Sequence, residues 1–330
     1  MSTLYIVEQG TTLRKTSHRL VIEKEGEVIL VVPEIKLEKI FIFGNVQIST
    51  QALKFLLSSG IDTAFFTLSG KFLGRLVSGV SKNIPLRIAQ FEKYKDKEFT
   101  LKISTTFLQA KIDNYRTFLQ KYQRNHPEID FTEPLEKLSE LKSTISRKET
   151  LNSLRGVEGM CSAVYFKAYA KMFRKGLKFN QRTRRPPRDP INALLSFGYT
   201  LLTNEMTSIL LAHGMDPQIG FLHSLSYGRP ALSLDLIEEF RTPIIERLVL
   251  EVVNKEIIKK QDFIMEGEGV RLKEKAIKQF LAQYEKRMLT ELIDPIDGKR
   301  VTYRKLLSLQ AERMAHCLLH DQPYLPFRFK

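Results

Sequence analysis

GFLHSLSYGRPALSLDLIEEFR, residues Gly220 to Arg241, is the stretch around which the rest of the chain is organised. It places one histidine, His223, before a predicted helix that carries Asp235, Glu238 and Glu239. Spacings of three and four residues put these carboxylates on one helical face. An imidazole and convergent carboxylates suit Mn²⁺ or Mg²⁺, because mostly hard oxygen ligands disfavour soft metals. The stretch therefore predicts a divalent-cation site of the kind used in phosphodiester chemistry.

A second interpretation of the same carboxylates is purely structural. Asp235, with Glu238 three residues later, also fits a helix N-cap and its reciprocal partner. Local sequence supports this capping box as well as the metal site, so both interpretations stay open at this point.

Upstream of this stretch, Glu158 is a carboxylate on the apolar side of another predicted helix. It lies four residues after Leu154, three before Cys161 and seven before Tyr165, so it shares their helical face. An ionised carboxylate on a packed face is costly unless it is paired, protonated or bound to a metal. Glu158 is therefore either a metal ligand or one half of a buried ion pair with Arg155 or another basic residue.

Two glycines, Gly156 and Gly159, flank Glu158 on this helix. Each lowers helix propensity by about 1 kcal/mol relative to alanine. Since glycine is often kept where another group comes close to the backbone, we expect a close approach here.

A dense basic run follows this helix and contains no acidic residue until Asp189. Tandem prolines at 186 and 187 stiffen it, and guanidinium groups suit bidentate contacts with phosphate. Its eight basic residues are Lys171, Arg174, Lys175, Lys178, Arg182, Arg184, Arg185 and Arg188. All of them except Lys175 are our candidate DNA contacts, and an ordinary solvated loop is the alternative.

The hydrophobic pattern predicts an α+β protein with two domains. Short β-rich runs fill the first part of the chain, with Glu25-Gly26 and Ser69-Gly70 as hairpin turns and one helix from about Thr50 to Ser59. After Pro85, long helical periodicity replaces the strand pattern. We predict a small β-sandwich-like N-terminal domain, residues 1–84, with a structural or dimerisation role. A larger all-α catalytic and DNA-binding domain, residues 85–330, follows it.

The composition indicates a soluble, globular, nucleic-acid-binding protein. The 330 residues include 52 basic and 37 acidic side chains, for a formal net charge of +15, which points to a polyanionic partner. An anionic membrane surface is the competing partner, but no apolar run reaches the roughly 18 to 20 residues that span a bilayer. Cys161 and Cys317 are too few for a disulfide framework, and we expect core positions for both. These features predict a cytoplasmic protein without a membrane partner.

Three motifs together resemble one known family. They are LRGVEG at 154–159, RRPPRDPINALLSFGYTLL at 184–202 and the stretch from 220 to 241. The chain is similar over essentially its whole length to the CRISPR-associated adaptation integrase, Cas protein one. The resemblance implies a metal-dependent DNA endonuclease and integrase that joins short foreign DNA fragments into a CRISPR repeat. The attacking oxygen would be a DNA 3′-hydroxyl in integration and water in hydrolysis.

The resemblance also implies the site residues and partners. The family's metal ligands fall on Glu158, His223 and Glu238, with Mg²⁺ or Mn²⁺ as the cation, and Asp235 has a supporting position. Some family members have aspartate where this chain has Glu238. The implied partners are DNA, a second copy of the chain, and a Cas protein two dimer flanked by two such homodimers in a heterohexamer-like complex.

Two other functions remain compatible with the sequence. One is a hydrolytic nuclease acting on branched or single-stranded DNA through the same residues. The other is a non-catalytic DNA scaffold, in which the carboxylates cap helices and balance arginines.

Overall fold

The computed structural model describes residues 2–33, 35, 37–77 and 83–329. The chain divides into two compact units. The first comprises Met1–Val80 together with Arg271–Leu281, and the second comprises Ser81–Val270 together with Ala282–Lys330. The division at residues 84 and 85 stays a prediction of the sequence, which did not indicate that Arg271–Leu281 belongs with the first unit.

In its described residues, the first unit contains two four-stranded sheets, the helix α1 and the first half of a later helix, Glu274–Met288. One sheet has the order β1-β5-β7-β8, in which β5 is parallel to both β1 and β7, and the other has the order β4-β3-β2-β6. The strands are β1 Ser2–Ile6, β2 Thr11–Thr16, β3 Arg19–Lys24, β4 Glu27–Pro33, β5 Leu37–Phe43, β6 Val46–Ile48, β7 Asp62–Phe66 and β8 Phe72–Leu76, and α1 is Thr50–Ser58.

Both sheets and α1 contribute to one apolar core. Leu4 of β1, Leu13 of β2, Ile40 of β5 and Leu56 of α1 are buried in the same cluster. The predicted hairpin turns are confirmed, because Glu25 and Gly26 have positive φ between β3 and β4 and Gly70 does so between β7 and β8. Shared burial of side chains from two sheets supports the sandwich-like expectation for this part of the chain.

The second part of the chain is dominated by long helices. Its helices are α2 Ile84–Lys95, α3 Lys97–Asn125, α4 Thr132–Thr144, α5 Leu151–Ala170, α6 Pro190–His213, α7 Ala231–Ile237, α8 Arg247–Asn254, α9 Glu274–Met288 and α10 Tyr303–His320. Short 3₁₀ turns cover Ile145–Arg147 and Lys260–Asp262, and a π-helical segment covers Arg241–Glu246.

Local sequence explains where the main helices begin and end. The side chain of Asp189 caps α6 by accepting from the Asn192 N–H, Pro190 occupies its first turn, and Gly214 ends it in the left-handed conformation. The helix α3 buries Phe107, Ile112 and other apolar residues along one face, as its periodicity predicts.

The prediction of an all-α second domain needs a correction. Two small strand pairs lie among the helices: β9 Phe263–Glu266 with β10 Gly269–Leu272, and the antiparallel pair β11 Glu291–Ile293 with β12 Arg300–Thr302. These strands have three or four residues, too few to produce a clear alternation in the sequence. In the described part of the chain, no helix is both long and apolar enough to cross a membrane.

Candidate metal centre

The helix α5 carries Glu158 with its side chain on the inward face. Thr150 caps the helix by accepting from the Ser153 N–H, and Leu154, Cys161 and Tyr165 are fully buried on the same face. Only a quarter of the Glu158 side chain is exposed. The predicted placement of this carboxylate among apolar residues is therefore confirmed.

The segment before His223 is wrapped around a single carboxylate, Asp235. One oxygen of Asp235 accepts from the backbone N–H groups of Phe221 at 2.6 Å and Leu222 at 3.0 Å. The other oxygen accepts from the His223 backbone N–H at 2.9 Å and lies 2.7 Å from His223 Nδ1. Asp235 is completely buried, so both of its oxygens are used inside the protein.

These contacts rule out the capping-box interpretation. Asp235 lies inside α7, whose N-cap position is Pro230 and whose C-cap position is Glu238. The Asp235 carboxylate therefore organises the loop that precedes the helix, instead of capping the helix itself.

Gly220 is required because the loop passes directly against α7. A Cβ at this position would lie 2.5 Å from the backbone carbon of Ala231 and 2.6 Å from Asp235 Oδ2. Both distances are far below normal carbon contacts. Absence of a side chain at Gly220 thus allows the following N–H groups to reach Asp235.

The hydrogen bond to Asp235 also determines which nitrogen of His223 can bind a metal. An ionised carboxylate accepts, so Nδ1 carries the proton and Nε2 keeps its lone pair. His223 Nε2 lies 3.6 Å from Glu238 Oε1. The imidazole therefore presents its free nitrogen to the second predicted ligand.

Glu238 lies at the end of α7, with only 2% of its side chain exposed. Arg241 Nη2 contacts its Oε1 at 3.0 Å, and Lys111 Nζ lies 2.8 Å from its Oε2. Burial alone would raise the pKa of this carboxyl group, but the charges of Arg241 and Lys111 outweigh that effect and lower it. Glu238 is thus held ionised.

Lys111 joins the two predicted acidic ligands and was missed in the sequence. Its ammonium contacts both Glu158 Oε1 and Glu238 Oε2, and only 2% of its side chain is exposed. The buried ion pair considered for Glu158 therefore exists, with Lys111 as the partner. Arg155 instead donates from Nε to the Leu222 carbonyl at 2.8 Å.

A signal for Lys111 was present in the helical pattern. It lies four residues after Phe107 and four before Tyr115, so it shares the apolar face of α3. A lone cation on such a face requires a buried carboxylate partner, by the same reasoning that singled out Glu158.

The pKa values of this pair reflect their mutual attraction. Lys111 strongly lowers the pKa of Glu158, to about 2, although burial opposes the shift. For Lys111, burial lowers the pKa, but Glu158 and Glu238 outweigh burial and raise it. Both groups are therefore charged at neutral pH.

The donor set fits a hard divalent cation. Glu158, His223 and Glu238 supply carboxylate oxygens and one imidazole nitrogen, and Glu238 Oε2 is a buried atom without a hydrogen bond of good geometry. With Lys111 between the carboxylates, no three His, Cys, Asp or Glu side chains in the described residues are grouped closely enough to enclose a metal ion. The residues fit such an ion if the carboxylates turn from Lys111.

Glu239 has a separate, structural environment. Tyr324 donates its hydroxyl to Glu239 Oε1 at 2.7 Å, and the Phe327 N–H donates to Oε2 at 2.6 Å. Burial raises the pKa of Glu239 to about 8 despite these donors. The geometry therefore separates Glu239, which holds the C-terminal segment, from Glu238, which faces His223 and Lys111.

The basic run forms an irregular loop between α5 and α6, and the structure corrects one of its predicted roles. Arg182 is largely buried and donates to Asn192 Oδ1 at 2.7 Å and Ser196 Oγ at 3.0 Å. Its guanidinium is used inside the protein to hold the loop on α6, which excludes it as a free phosphate contact. The exposed predicted residues are Lys171, Arg174, Lys178, Arg184, Arg185 and Arg188.

The expected close approach to Gly156 and Gly159 does not occur within the described chain. Both glycines are exposed, and a Cβ at either would meet nothing within 4 Å. This side of α5 is open.

Comparison with known proteins agrees with the family resemblance of the three sequence motifs. The family model for CRISPR associated protein Cas1 matches residues 4–286. The chain is 36% identical over 328 residues to CRISPR-associated endonuclease Cas1 3 of Thermus thermophilus, covering 98% of this chain and 96% of the relative.

Solved structures share the fold at lower sequence identity. A casposase bound to integration product has a TM-score of 0.88 and 24% identity, with 99% of this chain and 93% of that chain covered. A chain of a Cas6-RT-Cas1–Cas2 complex has a TM-score of 0.83 and 24% identity, with 97% of this chain and 35% of that longer chain covered.

Proposed function

This chain belongs to the Cas1 family of CRISPR-associated proteins, and we propose that it is a metal-dependent DNA endonuclease and integrase of CRISPR adaptation. It joins short foreign DNA fragments into a CRISPR repeat in the cytoplasm, by transesterification with a DNA 3′-hydroxyl as nucleophile. The observation that carries the proposal is the convergence of His223 and Glu238, with Glu158 joined to them through Lys111.

Glu158, His223 and Glu238 are the residues that would hold the cation, Mg²⁺ or Mn²⁺. When bound, such an ion neutralises charge on the scissile phosphate and favours attack by an oxygen nucleophile. Asp235 orients the imidazole and keeps its proton on Nδ1, so that Nε2 is available. Arg241 holds Glu238 through Oε1, the oxygen that Lys111 does not contact. The guanidinium carbon of Arg241 lies 4.9 Å from the centre of the Tyr199 ring.

The exposed cations of the loop between α5 and α6 are proposed to hold the DNA backbone. Contacts to phosphate carry no sequence information, so this loop would position DNA without selecting a sequence. Choice of the repeat would depend on DNA shape and on the partner protein.

We also propose a homodimer that assembles with Cas2. The solved Cas6-RT-Cas1–Cas2 complex, whose chain shares this fold, supports the partner. An exposed edge strand supports self-association: among the described residues β4 ends its sheet, and it exposes Val28, Ile29, Leu30 and Val31, each at 41% or more. Light scattering on the Leu30→Lys variant should show loss of the dimer, and an unchanged dimer mass would exclude this edge.

A strand-joining assay tests the function. Short DNA duplexes are incubated with a repeat-containing plasmid, Mn²⁺ and the purified protein, with and without Cas2. Glu158→Ala, His223→Ala and Glu238→Ala should each abolish joining, because each removes a metal ligand. His320→Ala, at the exposed end of α10, is the control that should join normally. A fully active His223→Ala protein would contradict the assignment of His223 as a metal ligand.

Two observations favour alternative functions. The Thermus relative is named an endonuclease, which favours hydrolysis as the cellular reaction. On the same plasmid, cutting without joining would indicate a nuclease.

The Lys111 ion pairs favour a non-catalytic DNA scaffold, because the charges of Glu158 and Glu238 are already paired with a cation of the protein. A scaffold would bind DNA but would neither bind Mn²⁺ nor join strands.

A further inference from the structure

Lys111 lies between two carboxylates that the proposed function assigns to a metal ion. We propose that Lys111 is the internal counter-ion of the metal-free protein, and that its ammonium and a divalent cation compete for Glu158 and Glu238. The inference rests on the proposed function, since it takes both glutamates as metal ligands.

The geometry places the ammonium where a bridging cation would bind. Lys111 Nζ contacts Glu158 Oε1 and lies 2.8 Å from Glu238 Oε2. Glu158 comes from α5 and Glu238 from the end of α7, so Lys111 of α3 joins carboxylates from two other elements. A metal ion bound by both carboxylates would have to share this space.

The Lys111 contact to Glu238 is one of charge more than of directed hydrogen bonding. Glu238 Oε2 has no hydrogen bond of good geometry, despite its short distance to Nζ. Arg241 contacts Oε1 at 3.0 Å, and its guanidinium is also held over the Tyr199 ring. Of the two cations we take Lys111 as the replaceable one, because its compact ammonium is carried on a flexible stem and has no such ring contact with Tyr199.

Charge balance favours movement of a cation. Glu158, Glu238 and Asp235 supply the negative charges of the site, and Lys111 and Arg241 supply positive charges beside them. Adding a divalent ion beside both cations would leave excess positive charge in a buried site, where repulsion is poorly screened. When the Lys111 ammonium moves away from the carboxylates, the repulsion between it and the divalent ion becomes weaker.

Equilibrium Mn²⁺ binding tests the competition without relying on catalysis. Free Mn²⁺ is measured by electron paramagnetic resonance in titrations of the full-length wild type and of Lys111→Met. Since methionine removes the competing charge but keeps much of the side-chain volume, the variant should bind Mn²⁺ at least about tenfold more tightly. Lys102→Met, which removes an exposed lysine from the same helix, should match the wild type. Unchanged or weaker binding by folded Lys111→Met overturns the proposal.

A crystal structure of the wild type grown with Mn²⁺ gives a second test that does not depend on the variant's folding. Lys111 Nζ should lie beyond hydrogen-bonding distance of at least one of the two carboxylates that bind the ion. An Nζ that still bridges Glu158 and Glu238 beside the bound ion overturns the competition but leaves the proposed function intact. Absence of Mn²⁺ binding by the wild type would refute the proposed function itself.

Discussion

At the scale of single residues, the position of His223 depends on two other residues, Asp235 and Gly220. Asp235 uses four hydrogen bonds to set the backbone of the loop and the orientation of His223. Gly220 makes this possible by leaving room for the loop against α7. Both residues act through the position of the imidazole.

Asp235→Asn should weaken Mn²⁺ binding by roughly 10- to 100-fold, the usual cost of losing an outer partner of a metal-binding histidine. The amide can no longer accept with both of its polar atoms, so some backbone N–H groups lose their acceptor. Calorimetric titration with Mn²⁺ measures the change. Asp216→Asn, which alters a nearby carboxylate that accepts from the Gln218 N–H, is the control and should bind normally. Equal affinities in all three proteins would contradict a positioning role.

Gly220→Ala and Gly159→Ala form a matched pair with opposite expected effects. The first introduces a Cβ within 2.6 Å of Asp235 Oδ2 and should lower the free energy of unfolding by about 1–3 kcal/mol. The second meets nothing within 4 Å on a helix and should raise it by up to about 1 kcal/mol. Urea denaturation followed by circular dichroism compares them. Equal shifts in both variants would show that the close approach at Gly220 is not important.

At the scale of secondary-structure elements, charge pairs connect segments that are distant in sequence. In the first unit, Glu8 accepts from Lys24 at 2.6 Å and from Lys278 of α9 at 2.5 Å. This contact accompanies the grouping of Arg271–Leu281 with the N-terminal strands. Hydrogen bonds from these two lysines, Lys24 first, lower the pKa of Glu8 to about 2.

The lowered pKa of Glu8 predicts a pH-dependent contribution to stability. The unfolded carboxyl binds its proton more readily than the folded one, so the stabilisation is present above the ordinary pKa near 4.5 and is lost as pH falls through about 2. Glu8→Gln should therefore melt slightly below the wild type at pH 7, with the difference shrinking in acid and in high salt, because the pair is exposed. Glu27→Gln is the control, and thermal melts at several pH values measure both. A deficit that persists unchanged at pH 2 would contradict the ion-pair explanation.

At the scale of the whole molecule, some of the basic side chains make buried contacts within the protein and others are exposed on its surface. Lys111, Arg182 and Arg241 are committed to buried contacts. Exposed residues such as Arg184 and Arg185 are not so committed and remain available to a polyanion. Net charge alone therefore overstates the number of DNA contacts.

This division predicts different effects of arginine substitutions on DNA binding. Arg184→Ala with Arg185→Ala should weaken DNA binding and reduce its salt dependence by roughly two phosphate contacts, since each neutralised phosphate contributes about 0.9 to the slope. Arg182→Ala should instead lower protein stability, because it removes buried hydrogen bonds to Asn192 and Ser196. Fluorescence anisotropy at several salt concentrations, with melting curves, separates the effects. An unchanged salt slope in the double variant would remove this loop from the DNA surface.

The sequence by itself determined the general architecture and the candidate ligands. Alternation and turn residues indicated the hairpins of the first unit, helical periodicity indicated α3, α5 and α6, and the motifs around Glu158, His223 and Glu238 indicated the family. These features are local, because spacing along the chain sets which side chains share a face. The tertiary structure alone decided that Asp235 organises a loop, that Arg182 is internal and that Lys111 joins Glu158 to Glu238. Each of these roles depends on a partner from another element, and only packing of the elements brings those partners together.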